Sequence, residues 1–173
     1  MLTPAEAEAA ITAAVQPVSA EALPLARCAG RVLRAPVAAE RDAPPFDRVA
    51  MDGIAIAASP TRRRWRIAGT QPAGAPALSL ADPGDCFEVM TGAILPRGCD
   101  TVIPVEQLRL SEGTAALPED AAVDPGQHVH RRASDARQGD ELLAAGTRLG
   151  PPELAIAAST GQAELRVSRA PRV

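Results

Sequence analysis

The sequence has no lysine and no tyrosine among its 173 residues, and its aromatics are Phe46, Trp65 and Phe87. Without lysine there is no P-loop ammonium, no Schiff base and no lysine general base. With so few aromatics there is no platform on which successive bases could stack, which removes one common route to single-stranded nucleic acid. Cys28, Cys86 and Cys99 are odd in number and form no C-x-x-C pair, so a disulfide framework and a zinc knuckle are both disfavoured and the thiols read as buried or idle. No apolar run approaches the roughly 20 residues of a membrane-spanning helix. The start, Met1-Leu2-Thr3-Pro4-Ala5-Glu6, shows neither the basic nor the apolar region of a signal peptide. A cytoplasmic protein without membrane or nucleic-acid partners is expected. The formal charge of -3 agrees, since it provides no global field for a polyanion.

Hydrophobic residues make up 46% of the chain, but 37 residues are Ala and only 36 are Leu, Ile, Val or Phe, so the core must be thin. Thr3-Pro4-Ala5-Glu6 combines an N-cap hydroxyl, a proline suited to the first helical position and a Glu that can bond back to the cap. A helix starts there, and Ala7, Ala10, Ile11, Ala14 and Val15 place a narrow apolar stripe on one of its faces before Pro17. Leu23 to Leu33 reads as a short extended piece leading into a helical turn. From Pro36 onward, Pro and Gly punctuate runs of only four to eight residues, which suits short strands. Strands are expected at 53–57, 64–68, 86–90, 101–105, 107–110 and 127–132. Pro151 to Ser159 returns to helix, with Gly161 past its end, and Ala163, Leu165 and Val167 alternate as a half-buried strand. The expected fold is mixed α+β. A first domain built from both chain ends carries an inserted small all-β domain, because neither end has apolar surface enough to stand alone. Ala170-Pro171-Arg172-Val173 reads as the start of a further element.

Three segments concentrate functional groups. Pro44 to Gly53 holds two rigid prolines, Phe46, Asp47 and Asp52; its plain reading is a stiff linker with two aspartates in turns. Val89 to Asp100 contains Thr91-Gly92, whose hydroxyl and amide could hold an anion, although a plain turn is the commoner use. Arg131-Arg132-Ala133-Ser134-Asp135-Ala136-Arg137 gathers three guanidiniums around one carboxylate: a phosphate clamp, or a solvated charged loop. His128 and His130 would share a face of a strand, but no Cys, Asp or Glu stands at a spacing that completes a metal site. No Ser-His-Asp set can be assembled.

These segments resemble the N-terminal half of the MoeA and gephyrin E-domain family, the molybdopterin molybdenumtransferases. The resemblance rests on Pro44-Pro45-Phe46-Asp47 with Ala50-Met51-Asp52-Gly53, on Met90-Thr91-Gly92-Ala93 with Leu95-Pro96 and Gly98, and on Val102-Ile103-Pro104-Val105-Glu106. It continues through Arg131-Arg132, Asp135, Gly146 to Gly150 and Glu153-Leu154, in the family's order. It implies an elongated first domain from 1–37 plus 138–168, used for linking and dimerisation. It further implies an inserted β domain at 38–137, and at 169–173 the start of a pterin-binding domain.

The implied activity moves molybdenum from molybdate to adenylylated molybdopterin with release of AMP. Mg²⁺ or another divalent cation assists, and a homodimer shares the site between subunits. A molybdopterin adenylyltransferase is the implied upstream partner. On this resemblance the catalytic positions are Asp52, Thr91 and Asp135, with Asp52 and Asp135 as cation ligands. Asp47, Gly92, Asp100 and Arg132 are the implied cofactor-binding positions. Arg48-Val49 replace a common Asn-Ser, Ile54 a common Tyr, and Ala133-Ser134 a common Gly-Glu. The alternative reading is a non-catalytic dimerisation or partner-docking module of the same fold.

Overall fold

The computed structural model describes residues 2–171, so Arg172 and Val173, the end of the expected further element at 169–173, lie outside the described residues. In chain order the elements are α1 (Pro4–Ala14), β1 (Ala20–Pro24), β2 (Val37–Ala38), β3 (Arg48–Val49), β4 (Gly53–Ile56), β5 (Arg64–Gln71), β6 (Asp85–Val89) and β7 (Thr101–Pro104). They continue with β8 (Arg109–Ser111), β9 (Thr114–Ala116), β10 (Val129–His130), β11 (Glu141–Leu143), α2 (Pro151–Ser159) and β12 (Glu164–Ser168). The fold is mixed α/β and rich in strand. It divides into two compact units, Met1–Arg41 with Gln138–Val173, and Asp42–Arg137.

In the first unit the local signals act as their chemistry requires. The Thr3 hydroxyl accepts from the Glu6 amide at 3.3 Å while the Glu6 carboxylate accepts from the Thr3 amide at 2.7 Å, so two of the helix's unpaired donors are satisfied at once. No residue of α1 is buried, and its apolar stripe stays open to solvent, Ile11 at 65% exposure. β1 pairs antiparallel with β12, and β2 with β11. A small core of Leu33, Val37, Leu149, Ala157, Leu165 and Val167, with Cys28 and Leu143, lies beneath them.

The second unit is organised by a six-stranded sheet in the order β7-β4-β6-β5-β9-β8, antiparallel except for the β5–β6 pair. Strand alternation divides its side chains between two clusters. Ala55, Phe87, Val89 and Val102 join Val49, Ala93, Leu95 and Cys99 in one. Ile54, Ile56, Trp65, Cys86, Ile103, Ala115 and Leu117 form the other. Both clusters are small, as the Ala-rich composition requires. β4 lies between β6 and β7, and at Gly53 a side chain is excluded because a β-carbon would collide with the Ile103 carbonyl oxygen. All three cysteines are buried and unbridged.

Two strand expectations need correction. Val105–Gln107 forms a helical turn, so strand pairing resumes only at Arg109. The expected strand 127–132 shrinks to Val129–His130, because His128 takes a left-handed backbone conformation at φ 54° that breaks the alternation. The two histidines therefore do not line one strand face.

Candidate functional site

The short strand β3 gathers the three candidate segments. On one side the Val49 amide donates to the Ala93 carbonyl at 2.9 Å, the Gly92 amide donates to the Val49 carbonyl at 2.9 Å, and the Leu95 amide donates to the Asp47 carbonyl at 2.9 Å. On the other, β3 pairs antiparallel with β10, and the Ala50 amide donates to the His128 carbonyl at 3.0 Å. Further along, the Ala133 amide donates to the Pro44 carbonyl at 3.0 Å and the Asp135 amide to the Ala43 carbonyl at 2.9 Å. Segments about forty residues apart in sequence thus become neighbours through main-chain bonds, which hold whatever the side chains do.

Asp52 leaves this assembly in the exposed turn before β4. Its Oδ1 accepts from both the amide and the hydroxyl of Thr91, each at 2.7 Å. The amide first, and the hydroxyl after it, hold the Asp52 carboxyl below the usual carboxylate range. Asp52 Oδ2 makes no hydrogen bond among the described residues. The expected oxyanion cradle of the Thr91 hydroxyl and Gly92 amide is not formed here, because Thr91 gives both its donors to Asp52 and the Gly92 amide serves the Val49 carbonyl. Beside Asp52 lies an apolar depression of about 260 Å³, lined by Ile54, Val89, Met90, Val105, Leu108 and Leu110 among others.

Asp47 joins two loops. Its Oδ1 accepts from the Arg132 amide at 2.8 Å and its Oδ2 from the Arg131 guanidinium at 2.7 Å. The Arg132 amide, more than the Arg131 charge, holds this carboxyl below its ordinary range. The Arg132 guanidinium donates to Asp42 at 2.7 Å. The anticipated clustering of guanidiniums around Asp135 therefore does not occur at Arg131 or Arg132, since each has a different aspartate as partner.

Asp135 instead meets His130. His130 Nε2 lies 2.8 Å from Asp135 Oδ1, and its Nδ1 lies 3.0 Å from an Arg48 nitrogen. A guanidinium can only donate, so Nδ1 accepts and the proton sits on Nε2, directed to Asp135. No sequence spacing points to this row of side chains, because Arg48 and His130 come together only through the β3–β10 register. Asp100 is placed differently from the other aspartates. Its Oδ1 accepts from the Ala58 amide at 2.9 Å and the Thr101 hydroxyl at 2.8 Å, a role inside the β unit.

Among the described residues no group of three or more His, Cys, Asp or Glu side chains forms a metal cluster. A hard cation such as Mg²⁺ commonly takes only one or two protein carboxylates and completes its shell with water and substrate oxygens. Asp52, ionised, exposed and with one uncommitted oxygen, fits that partial role. Asp135 keeps Oδ2 uncommitted in the same way.

The chain is made of two units, one discontinuous in sequence and the other a β unit that assembles these segments. The sequence matches the family described as the MoeA N-terminal region, domains I and II, over residues 2–161, and the chain belongs to that family. It is similar to the molybdopterin molybdenumtransferase of Synechocystis sp., with 42% identity over 147 residues, covering 83% of this chain and 38% of that protein. It is similar also to the molybdopterin molybdenumtransferase of Haemophilus influenzae, with 34% identity over 156 residues, 88% of this chain and 38% of that protein. Among solved structures, the molybdopterin biosynthesis moeA protein of Pyrococcus horikoshii matches with a TM-score of 0.79 and 30% identity, over 87% of this chain and 41% of that one. The chain thus spans well under half the length of these relatives. Among the described residues no helix is long and apolar enough to cross a membrane.

Proposed function

We propose that this chain is the N-terminal part of a molybdenum insertase acting in molybdenum cofactor biosynthesis. The complete protein would transfer molybdenum from molybdate to adenylylated molybdopterin and release AMP. The observation that supports this best is the convergence on β3 of the segments that carry the family resemblance, with Asp52 held ionised by Thr91 at their edge. Asp52 then offers a fixed negative charge, and Thr91 fixes which of its oxygens remains available. Asp135 would face the same chemistry with His130 setting its orientation. A divalent cation, where bound, would be held by Asp52 and Asp135 and supplies charge neutralisation at phosphate or molybdate oxygens. Arg132 and Asp47 set the shape of the loop that presents Asp135, and Gly92 keeps the Thr91 turn close to β3.

The protein would work in the cytoplasm as a homodimer in which the two subunits complete one another's sites, receiving its substrate from a molybdopterin adenylyltransferase. The first unit would be the elongated linking piece and 169–173 the lead into a pterin-binding domain. The exposed stripe of α1 supports the dimerising part of this reading, and it is the observation that favours the second one, a docking module without catalysis. The test is Asp52→Asn in the complete protein, which removes a charge at an exposed turn and keeps volume. Insertion should fall by at least the roughly 10 to 100-fold typical of altered metal-site partners. Wild-type turnover at saturating cation would remove Asp52 from the site and leave the docking module.

A further inference from the structure

The far edge of the six-stranded sheet carries a feature that the β3 assembly does not use. Antiparallel register places Ala116 of β9 opposite Arg64 on β5 and opposite Arg109 on β8. Residues directly opposite in a sheet share a face, so Arg64, Ala116 and Arg109 form one row across three strands. The next row, by the same alternation, is Arg66, Thr114 and Ser111. Strands about 4.8 Å apart put the two outer arginines of the first row roughly 10 Å from each other at the main chain, with only a methyl group between them. Arg63 adds a third arginine to the lining, together with Leu117, Pro118 and Glu119. The result is a depression of about 550 Å³ whose lining holds three guanidiniums, the hydroxyls of Ser111 and Thr114, and the single carboxylate of Glu119.

Among the described residues these three arginines line one depression and none of them has a carboxylate partner. Arg66, next in the row, is tied by two bonds of 2.9 and 2.8 Å to Asp85. Arg31, Arg131 and Arg132 likewise have acidic partners. Arg64 and Arg109 have none among the described residues, and Arg63 donates only to the Arg62 carbonyl at 3.3 Å. Guanidiniums that line one depression together favour an anion placed among them. Guanidiniums present their donors as planar forks suited to phosphate oxygens, and hydroxyls on the same face supply further donors. The chain's overall negative charge supplies no such attraction, so any anion drawn to this face is drawn locally.

We propose that the depression over Ala116, framed by Arg63, Arg64 and Arg109, is a binding site for a phosphate group, free or carried as a monoester on a small molecule. It is separate in its residues from the Asp52, Thr91 and Asp135 constellation and does not rest on the insertase reading. The test uses the chain as it stands, with inorganic phosphate and a sugar phosphate titrated calorimetrically at low ionic strength. Trp65, the only tryptophan and the sequence neighbour of Arg64, gives a second readout by fluorescence.

Saturable binding is expected, weakened about tenfold or more for each guanidinium removed in Arg64→Gln and Arg109→Gln, as for hydrogen bonds to charged groups. Arg27→Gln, in the other unit, should leave it unchanged. Both substituted side chains are exposed, so unchanged thermal midpoints will show that the variants fold. Equal affinities for the two probes would assign the site to the bare phosphate group; tighter binding of the sugar phosphate would assign it to an ester whose organic part also touches the wall. No saturable binding of either probe up to about 10 mM, an affinity of under roughly 3 kcal/mol, would overturn the proposal. So would equal binding by wild type and the double variant.

Discussion

Removal of the Asp47 carboxylate tests whether the loop carrying Asp135 is held by this side chain. In the folded protein Asp47 accepts one bond from a main-chain amide and one from a guanidinium, 2.8 and 2.7 Å long. The Arg131 pair is 50% exposed on one side and 36% on the other, so it ranks with surface ion pairs at about 0.2–1 kcal/mol. The Arg132 amide bond is charge-assisted but also near solvent, and about 1 kcal/mol is a fair value for it. Asp47→Ala should therefore cost about 1.5–2 kcal/mol, and Asp47→Asn, which keeps an acceptor for the amide, about half of that. For a unit the size of Asp42–Arg137, each kcal/mol moves the midpoint by roughly 4–8 °C, so the Ala variant should melt about 6 °C or more below wild type.

The pH dependence has a definite sign. The folded pKa of Asp47 lies below the unfolded one, near 3.9, so its stabilisation is fully present above that value and is lost as pH falls through the folded pKa. Thermal unfolding followed by circular dichroism should show a constant gap between wild type and Asp47→Ala from about pH 5 upward, closing in stronger acid. Equal midpoints at pH 7, or a gap that persists undiminished at low pH, would refute the assignment of the loop's anchoring to this carboxylate.

Thr91→Val removes the hydroxyl but keeps the amide, so the Asp52 carboxyl should titrate higher than in wild type yet stay below an ordinary aspartate; Thr91→Ser should reproduce wild type. Carbon-detected NMR titration of Asp52 reads both, and identical curves for Val and wild type would show that the hydroxyl bond of 2.7 Å contributes nothing. Burial pushes the Cys86 and Cys99 thiols up to about 12, so both should resist alkylation near neutral pH in the folded protein and react once it is unfolded. Mass spectrometry after brief iodoacetamide treatment decides this, and rapid modification of either in the native state would contradict the buried placement.

Local chemistry alone determined several features of this protein. The Thr3-Pro4-Glu6 cap starts α1 because its donors and acceptors lie within one turn, and Pro151-Pro152 with Gly161 delimits α2 for a similarly local reason. The strands around residues 54, 66, 87 and 102 were legible in the turn residues that bound them. The β8–β9 hairpin was only half legible: the expected strand at 107–110 overlaps β8, but no strand was expected at β9, whose pairing across Glu112-Gly113 closes the hairpin. The roles within the candidate site depended on pairing across long sequence separations, which no window of residues encodes. Thr91 faces Asp52 rather than an anion because the 90–95 segment bonds to β3. Asp135 meets His130 rather than Arg131 or Arg132 because β10 pairs in register with Arg48 and Val49. Arg64 and Arg109 share a face because both lie opposite Ala116. Composition and spacing name the functional groups; only the register of distant strands decides which donor each acceptor meets, since a shift of one residue would turn every side chain to the opposite face.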